Sequence, residues 1–267
     1  MAYTIAITGK GGVGKTTVAA LLVARLIARG CKPVLAVDAD PNTCLDGALG
    51  VKVDSTIGQI REETRELAGK GLAVGVAKQQ MLELRIAESL VEADDFDLIA
   101  MGRPEGPGCY CYANNVLKQA IQTIASNYAY VVIDNEAGLE NLSRRIVTKV
   151  DLMLIVADPS QRGLQTLRRL HQLAGEMGVQ YTKLAMVVNR LRHAELPGGL
   201  DELRQATKAD YLLALPDDGE LAEADETGRP LGGATGLGAG NPIVQRMDAF
   251  LNQAGVRNAG VSPAVGV

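Results

Sequence analysis

The sequence predicts an α/β fold: one domain with a mostly parallel sheet and helices on both faces. Two observations carry this. Short, near-continuous apolar and β-branched runs alternate with stretches of helical periodicity, as strands buried on both faces require. Most of these runs end in Asp, Asn or a glycine-rich turn, and ligands of such sheets bind beyond the carboxyl ends of the strands.

Tyr3–Thr8 reads as the first buried strand, and the apolar-periodic segment Val18–Ala28 as the helix that follows it. Further strands are expected at Pro33–Asp38, Phe96–Met101, Tyr130–Asp134, Leu152–Ala157, Lys183–Asn189 and Tyr211–Leu215. Ile57–Asp95 is mixed and charged, with helical spacing at Met81, Leu84 and Leu90, and is expected to form helices packed on the same domain. Val116–Ile124 reads as a helix, Gly228–Gly240 as a mobile glycine-rich loop, and Pro242–Leu251 as the last helix. The domain is expected to span residues 1–253, with 254–267 a flexible tail.

At 267 residues, 47% of them hydrophobic, the chain is long enough to bury one substantial core. A net charge of −4 with no basic run argues against a nucleic-acid surface. Val18–Ile27, the longest apolar stretch, is interrupted by Arg25 and too short to span a bilayer, so no membrane partner is expected. Met1-Ala2-Tyr3 leads directly into the first strand, leaving no room for an export signal. The four cysteines are therefore expected to be reduced thiols in a cytoplasmic protein.

Gly9-Lys10-Gly11-Gly12-Val13-Gly14-Lys15-Thr16-Thr17 fits the phosphate-binding pattern G-x-x-x-x-G-K-[ST] between a strand and a helix. The backbone N–H groups of Gly11, Gly12, Val13, Gly14, Lys15, Thr16 and Thr17 are placed to surround phosphate oxygens, and the helix N-terminus adds partial positive charge. Lys15 is expected to reach the terminal phosphates of ATP or ADP, and the Thr16 hydroxyl to ligate Mg²⁺. The chain is thus expected to be a P-loop NTPase.

Three further strand ends carry chemistry. Asp38-Ala39-Asp40-Pro41-Asn42 presents carboxylates at i and i+2, which point the same way if the chain stays extended; a solvated Asp-Pro turn is the alternative. Asp134-Asn135-Glu136-Ala137-Gly138 ends an apolar strand in an aspartate, the Walker B arrangement, with Asp134 expected near Mg²⁺. Asn189-Arg190-Leu191-Arg192 lacks the guanine-reading N-K-x-D signature, which favours adenine; Asn189 as a cap or turn residue is the other option.

Met101-Gly102-Arg103-Pro104-Glu105-Gly106-Pro107-Gly108-Cys109-Tyr110-Cys111-Tyr112-Ala113-Asn114-Asn115 follows a strand and precedes a helix. In an extended segment Cys109 and Cys111 place both sulfurs on one side, and a nearby helix N-terminus favours the metal-binding thiolate. Cysteine pairs of this spacing are also found as structural residues. One chain supplies two thiolates, whereas a closed tetrahedral soft-metal site takes four ligands. His171 and His193 offer no matching pair, so a twofold dimer that joins two such segments would complete the set. Cys31 and Cys44 stand apart and read as structural.

GKGGVGKTT, with its early Lys10, resembles the deviant Walker A loop of the ATPase family that includes partitioning and septum-positioning ATPases, the nitrogenase iron protein and metallocentre maturation ATPases. The resemblance implies that Lys10 reaches across a nucleotide-sandwich homodimer to the partner's phosphates, that Asp40 orients or activates water and that Asp38 helps hold the metal's water shell. It also implies that Asn189 hydrogen-bonds the purine and that Pro216 and Asp217 line the base. GKGGVGKTT, DADPN, MGRPEGPGCYCYANN and DNEAGLEN together resemble the CooC-type nickel-insertion ATPases, over roughly residues 1 to 220. That group implies Ni²⁺, or Zn²⁺ in its place, bound by Cys109 and Cys111 of both chains, with apo carbon monoxide dehydrogenase or a related nickel enzyme as client. Relatives often have proline at the place of Glu136. Two rival readings remain: an iron-protein-like electron-transfer ATPase with a dimer-bridging Fe–S cluster, and a spatial-organiser ATPase without metal.

Overall fold

The computed structural model describes residues 2–60, 87–103, 110–139, 150–193, 195–233 and 236–256, with the backbone alone for 110–115. The expected helical spacing at Met81 and Leu84, residue Cys109, and the tail from 257 onward lie outside the described residues.

The strands are β1 (Tyr3–Gly9), β2 (Val34–Ala39), β3 (Val91–Glu92), β4 (Phe96–Ala100), β5 (Tyr130–Asn135), β6 (Val150–Ala157), β7 (Tyr181–Leu191) and β8 (Tyr211–Pro216). They form one sheet in the order β3-β4-β2-β5-β1-β6-β7-β8. Among the described residues every strand pair is parallel except β3 with β4, and this short antiparallel edge has no counterpart in the sequence reading. The α/β class read from the sequence is the class observed.

The helices are α1 (Lys15–Ala28), α2 (Leu45–Leu49), α3 (Tyr110–Ile124), α4 (Gln161–Glu176), α5 (Leu200–Thr207), α6 (Gly219–Thr227) and α7 (Pro242–Gln253). Alternation along the strands divides the core. Ile5 and Ile7 of β1 face the layer built around α1 and α7, while Ala6 faces the layer of α4 and α5. Met101, Val116 and Ile121 fill a third cluster over β2, β4 and β5. In α1, Val18, Leu21, Leu22 and Leu26 are fully buried together with Ala19, Ala20 and Val23, because α2 and α7 cover the side that β1, β2 and β5 do not. Burying each large side chain contributes roughly 1.5–3 kcal/mol relative to leaving it exposed.

Two expectations change. Helix α3 begins at Tyr110, six residues before the expected start, so the backbone of Cys111 is helical and not extended. Nothing between Tyr110 and Val116 breaks a helix, and the Gly106-Pro107-Gly108 stop lies just upstream. The glycine-rich stretch after α6 is anchored where a mobile loop was expected. Leu231 and Leu237 are buried in the α1 layer, and the Leu231 amide donates to the Ala48 carbonyl at 3.0 Å.

Helix α7 starts at an Asn241 cap that accepts from the Ile243 amide at 2.8 Å, with Pro242 in the first turn. It is tied to α1 by Arg25, whose guanidinium donates twice to the Asp248 carboxylate, at 3.0 and 2.8 Å. Both partners are less than one-third exposed. Asp248→Ala strands this guanidinium and is expected to destabilise the protein by about 1–3 kcal/mol, read as a lower urea midpoint with an unchanged slope.

Candidate functional site

The loop from Gly9 to Gly14 leaves β1 at the carboxyl edge of the sheet, where strand order reverses on either side of β1. Gly12 and Gly14 adopt φ of 80° and 88°, a left-handed geometry that turns successive N–H groups into a concave nest. A side chain at Gly9 would place its Cβ 2.4 Å from the Val156 carbonyl oxygen, so β6 and the loop meet only if that residue is glycine. Lys15 is buried at the start of α1 with its Nζ 3.4 Å from the Lys10 carbonyl, while Lys10 itself is exposed.

Asp38 and Asp134 lie opposite each other in the β2–β5 register, and both are fully buried. The Thr16 hydroxyl donates to Asp134 Oδ2 at 2.6 Å. Asp134 Oδ1 is buried without a hydrogen-bond partner among the described residues. Asp38 Oδ1 accepts from the Asp40 amide at 3.0 Å, and its Oδ2 accepts from the Cys44 and Leu45 amides at 2.9 Å each. Asp38 thereby organises the loop that carries Asp40, whose Oδ1 accepts from the backbone and side-chain nitrogens of Asn42 at 2.9 Å.

Burial pushes the Asp38 carboxyl up to about 6 against those three amides. Burial, with the Asp38 and Asp40 charges, pushes Asp134 up to about 7, opposed by Thr16 and Lys15. A pair of buried carboxylates with one orphaned oxygen and an adjacent threonine hydroxyl fits Mg²⁺, which binds through few protein oxygens and keeps water and phosphate ligands.

The segment after β5 closes over the loop. The Gly138 amide donates to the Gly9 carbonyl at 3.1 Å, and the Thr8 hydroxyl donates to the Gly138 carbonyl. On the other side of the loop opens a cavity of about 810 Å³ lined by Thr17, Asp158, Asn189, Arg190, Pro216 and Asp217, among others. Asn189 is buried and donates from Nδ2 to the Val13 carbonyl at 2.9 Å; the Asp217 amide donates to the Leu191 carbonyl at 2.8 Å.

The structure therefore brings Lys15, Thr16, Asp38, Asp40 and Asp134 together, and gathers Thr17, Asn189, Pro216 and Asp217 around the adjoining cavity. Asp158 was missed by the sequence reading. Burial raises its carboxyl, but hydrogen bonds from Ser160 and the Lys10 charge prevail and hold it below the usual range. Its signal was present: the apolar run ending at Ala157 terminates in aspartate, as the runs before Asp38 and Asp134 do. Cys44 is exposed beside this site, and burial together with Asp38, Asp40 and Asp46 raises its thiol. Cys31 is buried in the turn after α1, as a structural residue would be. No group of three or more His, Cys, Asp or Glu side chains is arranged for a metal among the described residues.

A family model described as an AAA domain matches residues 2–184. An uncharacterized ATP-binding protein of Methanocaldococcus jannaschii, MJ0685, is 42% identical over 85% of this chain and 89% of its own length. The chain belongs to this AAA-domain family. The carbon monoxide dehydrogenase accessory protein CooC of Rhodospirillum rubrum is 31% identical, covering 84% of this chain and 87% of the relative. The MinD cell division protein of Aquifex aeolicus shares the fold, with a TM-score of 0.66 at 24% identity over all of both chains. MinD of Pyrococcus horikoshii, solved with Mg-ADP, has a TM-score of 0.63 at 22% identity over 95% of each chain. No helix among the described residues is long and apolar enough to cross a membrane.

The raised Asp134 carboxyl has a consequence for stability. Its folded pKa of about 7 exceeds the ordinary 3.8, so the folded state binds the extra proton. The stabilisation is complete below about pH 4 and is lost as pH rises through about 7. Asp134→Asn keeps the Thr16 contact and removes the penalty. It is expected to raise the melting midpoint of nucleotide-free protein at pH 8 and to flatten the decline between pH 5 and 8. Melting curves across that range check this.

Proposed function

We propose that this ATPase is a metallochaperone: it hydrolyses ATP in a nucleotide-dependent homodimer and uses the cycle to load nickel, or zinc in its place, into an apo-enzyme such as carbon monoxide dehydrogenase. The observation that carries the reading is the path from the carboxylate pair to the Cys109-x-Cys111 segment. The Met101 amide, directly after β4, donates to the Asp38 backbone carbonyl at 2.8 Å, and Cys109 follows eight residues later. A change at the Asp38–Asp40 loop would thus bear on the root of the cysteine segment. The 31% identity to a carbon monoxide dehydrogenase accessory protein supports the same reading, and favours it over an iron-protein-like cluster.

In this reading the amides of Gly11, Gly12, Val13, Gly14, Lys15, Thr16 and Thr17 hold the phosphates, and the Lys15 ammonium neutralises the terminal ones. Thr16, Asp134 and Asp38 hold Mg²⁺ directly or through its water shell; when bound, it neutralises charge on the β- and γ-phosphates. Asp40 Oδ2 orients the attacking water, since Oδ1 is engaged by Asn42. Lys10, exposed in one chain, places its ammonium at the partner's phosphates, where charge develops in transfer.

The Asn189 amide orientation favours adenine. With Nδ2 committed to Val13, the side chain offers Oδ1 to the cavity, an acceptor matched to the adenine amino group and opposed to the guanine carbonyl. Pro216 and Asp217 complete that wall.

Metal cargo is taken by four thiolates, Cys109 and Cys111 from each chain, so capture requires the dimer. Coupling follows if ATP and metal each prefer one of the two dimer geometries.

Light scattering with elemental analysis across one gel-filtration peak tests the reading on the full chain with Ni²⁺ and nucleotide. The expected result is one nickel per dimer, lost in Cys109→Ser/Cys111→Ser. Equal nickel content in wild type and variant would contradict it. Lys10→Ala and Asp40→Ala are each expected to keep the melting midpoint and to lower ATP turnover by about a hundredfold or more, which a phosphate-release assay reads.

A further inference from the structure

Asn189 and its neighbour Arg190 act on the phosphate-binding loop from outside it. Asn189 Nδ2 donates to the Val13 carbonyl at 2.9 Å, and Arg190 NH1 donates to the Gly12 carbonyl at 3.2 Å. These two carbonyls belong to consecutive peptide units. In a trans peptide the C=O and the following N–H point in opposite directions. Drawing the Gly12 carbonyl toward β7 therefore aims the Val13 N–H away from it, into the concave side of the loop. The Val13 carbonyl does the same for the Gly14 N–H.

The strand is deformed where this happens. The β7–β8 register slips between Val188 and Leu191, and Arg190 inside that irregularity adopts φ of 61°, a left-handed conformation disfavoured for arginine. The slip returns Leu191 to the apolar cluster that holds Val188, but the exposed Arg190 side chain takes no part in that core. What the bulge does is send two successive residues toward one loop, where an uninterrupted strand would send them to opposite faces. Asn189 also closes on Gly14, where a Cβ would lie 2.5 Å from Nδ2.

We infer that Arg190 is a positioning residue for nucleotide binding: with Asn189 it forms a two-point clasp that presets the Val13 and Gly14 N–H groups for the phosphates. The inference rests on the nucleotide reading of this loop. Its ligand is the phosphate portion of the nucleotide, not the base, although Arg190 borders the base cavity.

Arg190→Gly separates the clasp from general structure, because glycine removes the guanidinium and relaxes the left-handed backbone together. The measurements are dissociation constants for ADP and adenosine, the melting midpoint without nucleotide, and KM and kcat for ATP. A charged hydrogen-bond donor of this kind accounts for roughly a tenfold change in affinity. The expected result is ADP affinity about tenfold weaker, adenosine affinity unchanged, ATP KM raised, and a melting midpoint that does not fall. Arg190→Lys, which keeps a cationic donor, is expected to recover part of the ADP affinity. Equal weakening for ADP and adenosine would overturn the inference by placing Arg190 at the base, and so would unchanged ADP affinity. A wild type that binds no ADP would instead overturn the nucleotide reading itself.

Discussion

Two aspartates buried side by side at the ends of neighbouring parallel strands impose the constraint on which the rest of this protein depends. Asp38 and Asp134 share one register position, and a buried carboxylate without compensation costs several kcal/mol. The chain meets that cost with local partners. Three amides of the segment after β2 converge on Asp38, and the Thr16 hydroxyl meets Asp134. What is left uncompensated is Asp134 Oδ1, buried without a hydrogen-bond partner among the described residues. Burial holds both carboxyls above the usual range, a cost that a cation beside them would relieve.

This geometry explains why the surrounding elements are built as they are. The apolar packing of α1 against β1, β2 and β5 holds Lys15 and Thr16 at the sheet edge, and α7 clamps α1 through Asp248. The Gly138–Gly9 bridge joins the segment after β5 to the start of the loop. The segments after β1 and β5 are thus joined by two hydrogen bonds, from the Gly138 amide to the Gly9 carbonyl and from the Thr8 hydroxyl to the Gly138 carbonyl. The amide of Met101 in turn ties the end of β4 to the end of β2 through the Asp38 carbonyl.

Much of this was legible in the residues. Parallel strands covered on both faces must be apolar throughout, so Tyr130–Asp134 and Leu152–Ala157 stood out as runs, and polar residues at their ends were placed at the site by topology alone. The glycine pattern from Gly9 to Gly14 marked the loop because only particular backbone geometry turns N–H groups inward. Other features were illegible for physical reasons. Val91–Glu92 is too short to show a period. Tyr110–Asn115 lacks the apolar repeat by which helices are recognised, so the start of α3 was set too late. Glycine content suggested mobility after Gly228, whereas burial of Leu231 and Leu237 depends on contacts distant in the chain. The clasp by Asn189 and Arg190 depends on a strand irregularity that no local pattern announces.

In the proposed function nucleotide state and metal capture are one equilibrium, and reciprocity makes that measurable. Titrating Ni²⁺ into the 267-residue chain, once saturated with ADP and once with a non-hydrolysable ATP analogue, compares its affinity in the two states. The account predicts affinities that differ by about tenfold or more, with the tighter state dimeric. Equal nickel affinity in both nucleotide states would contradict it.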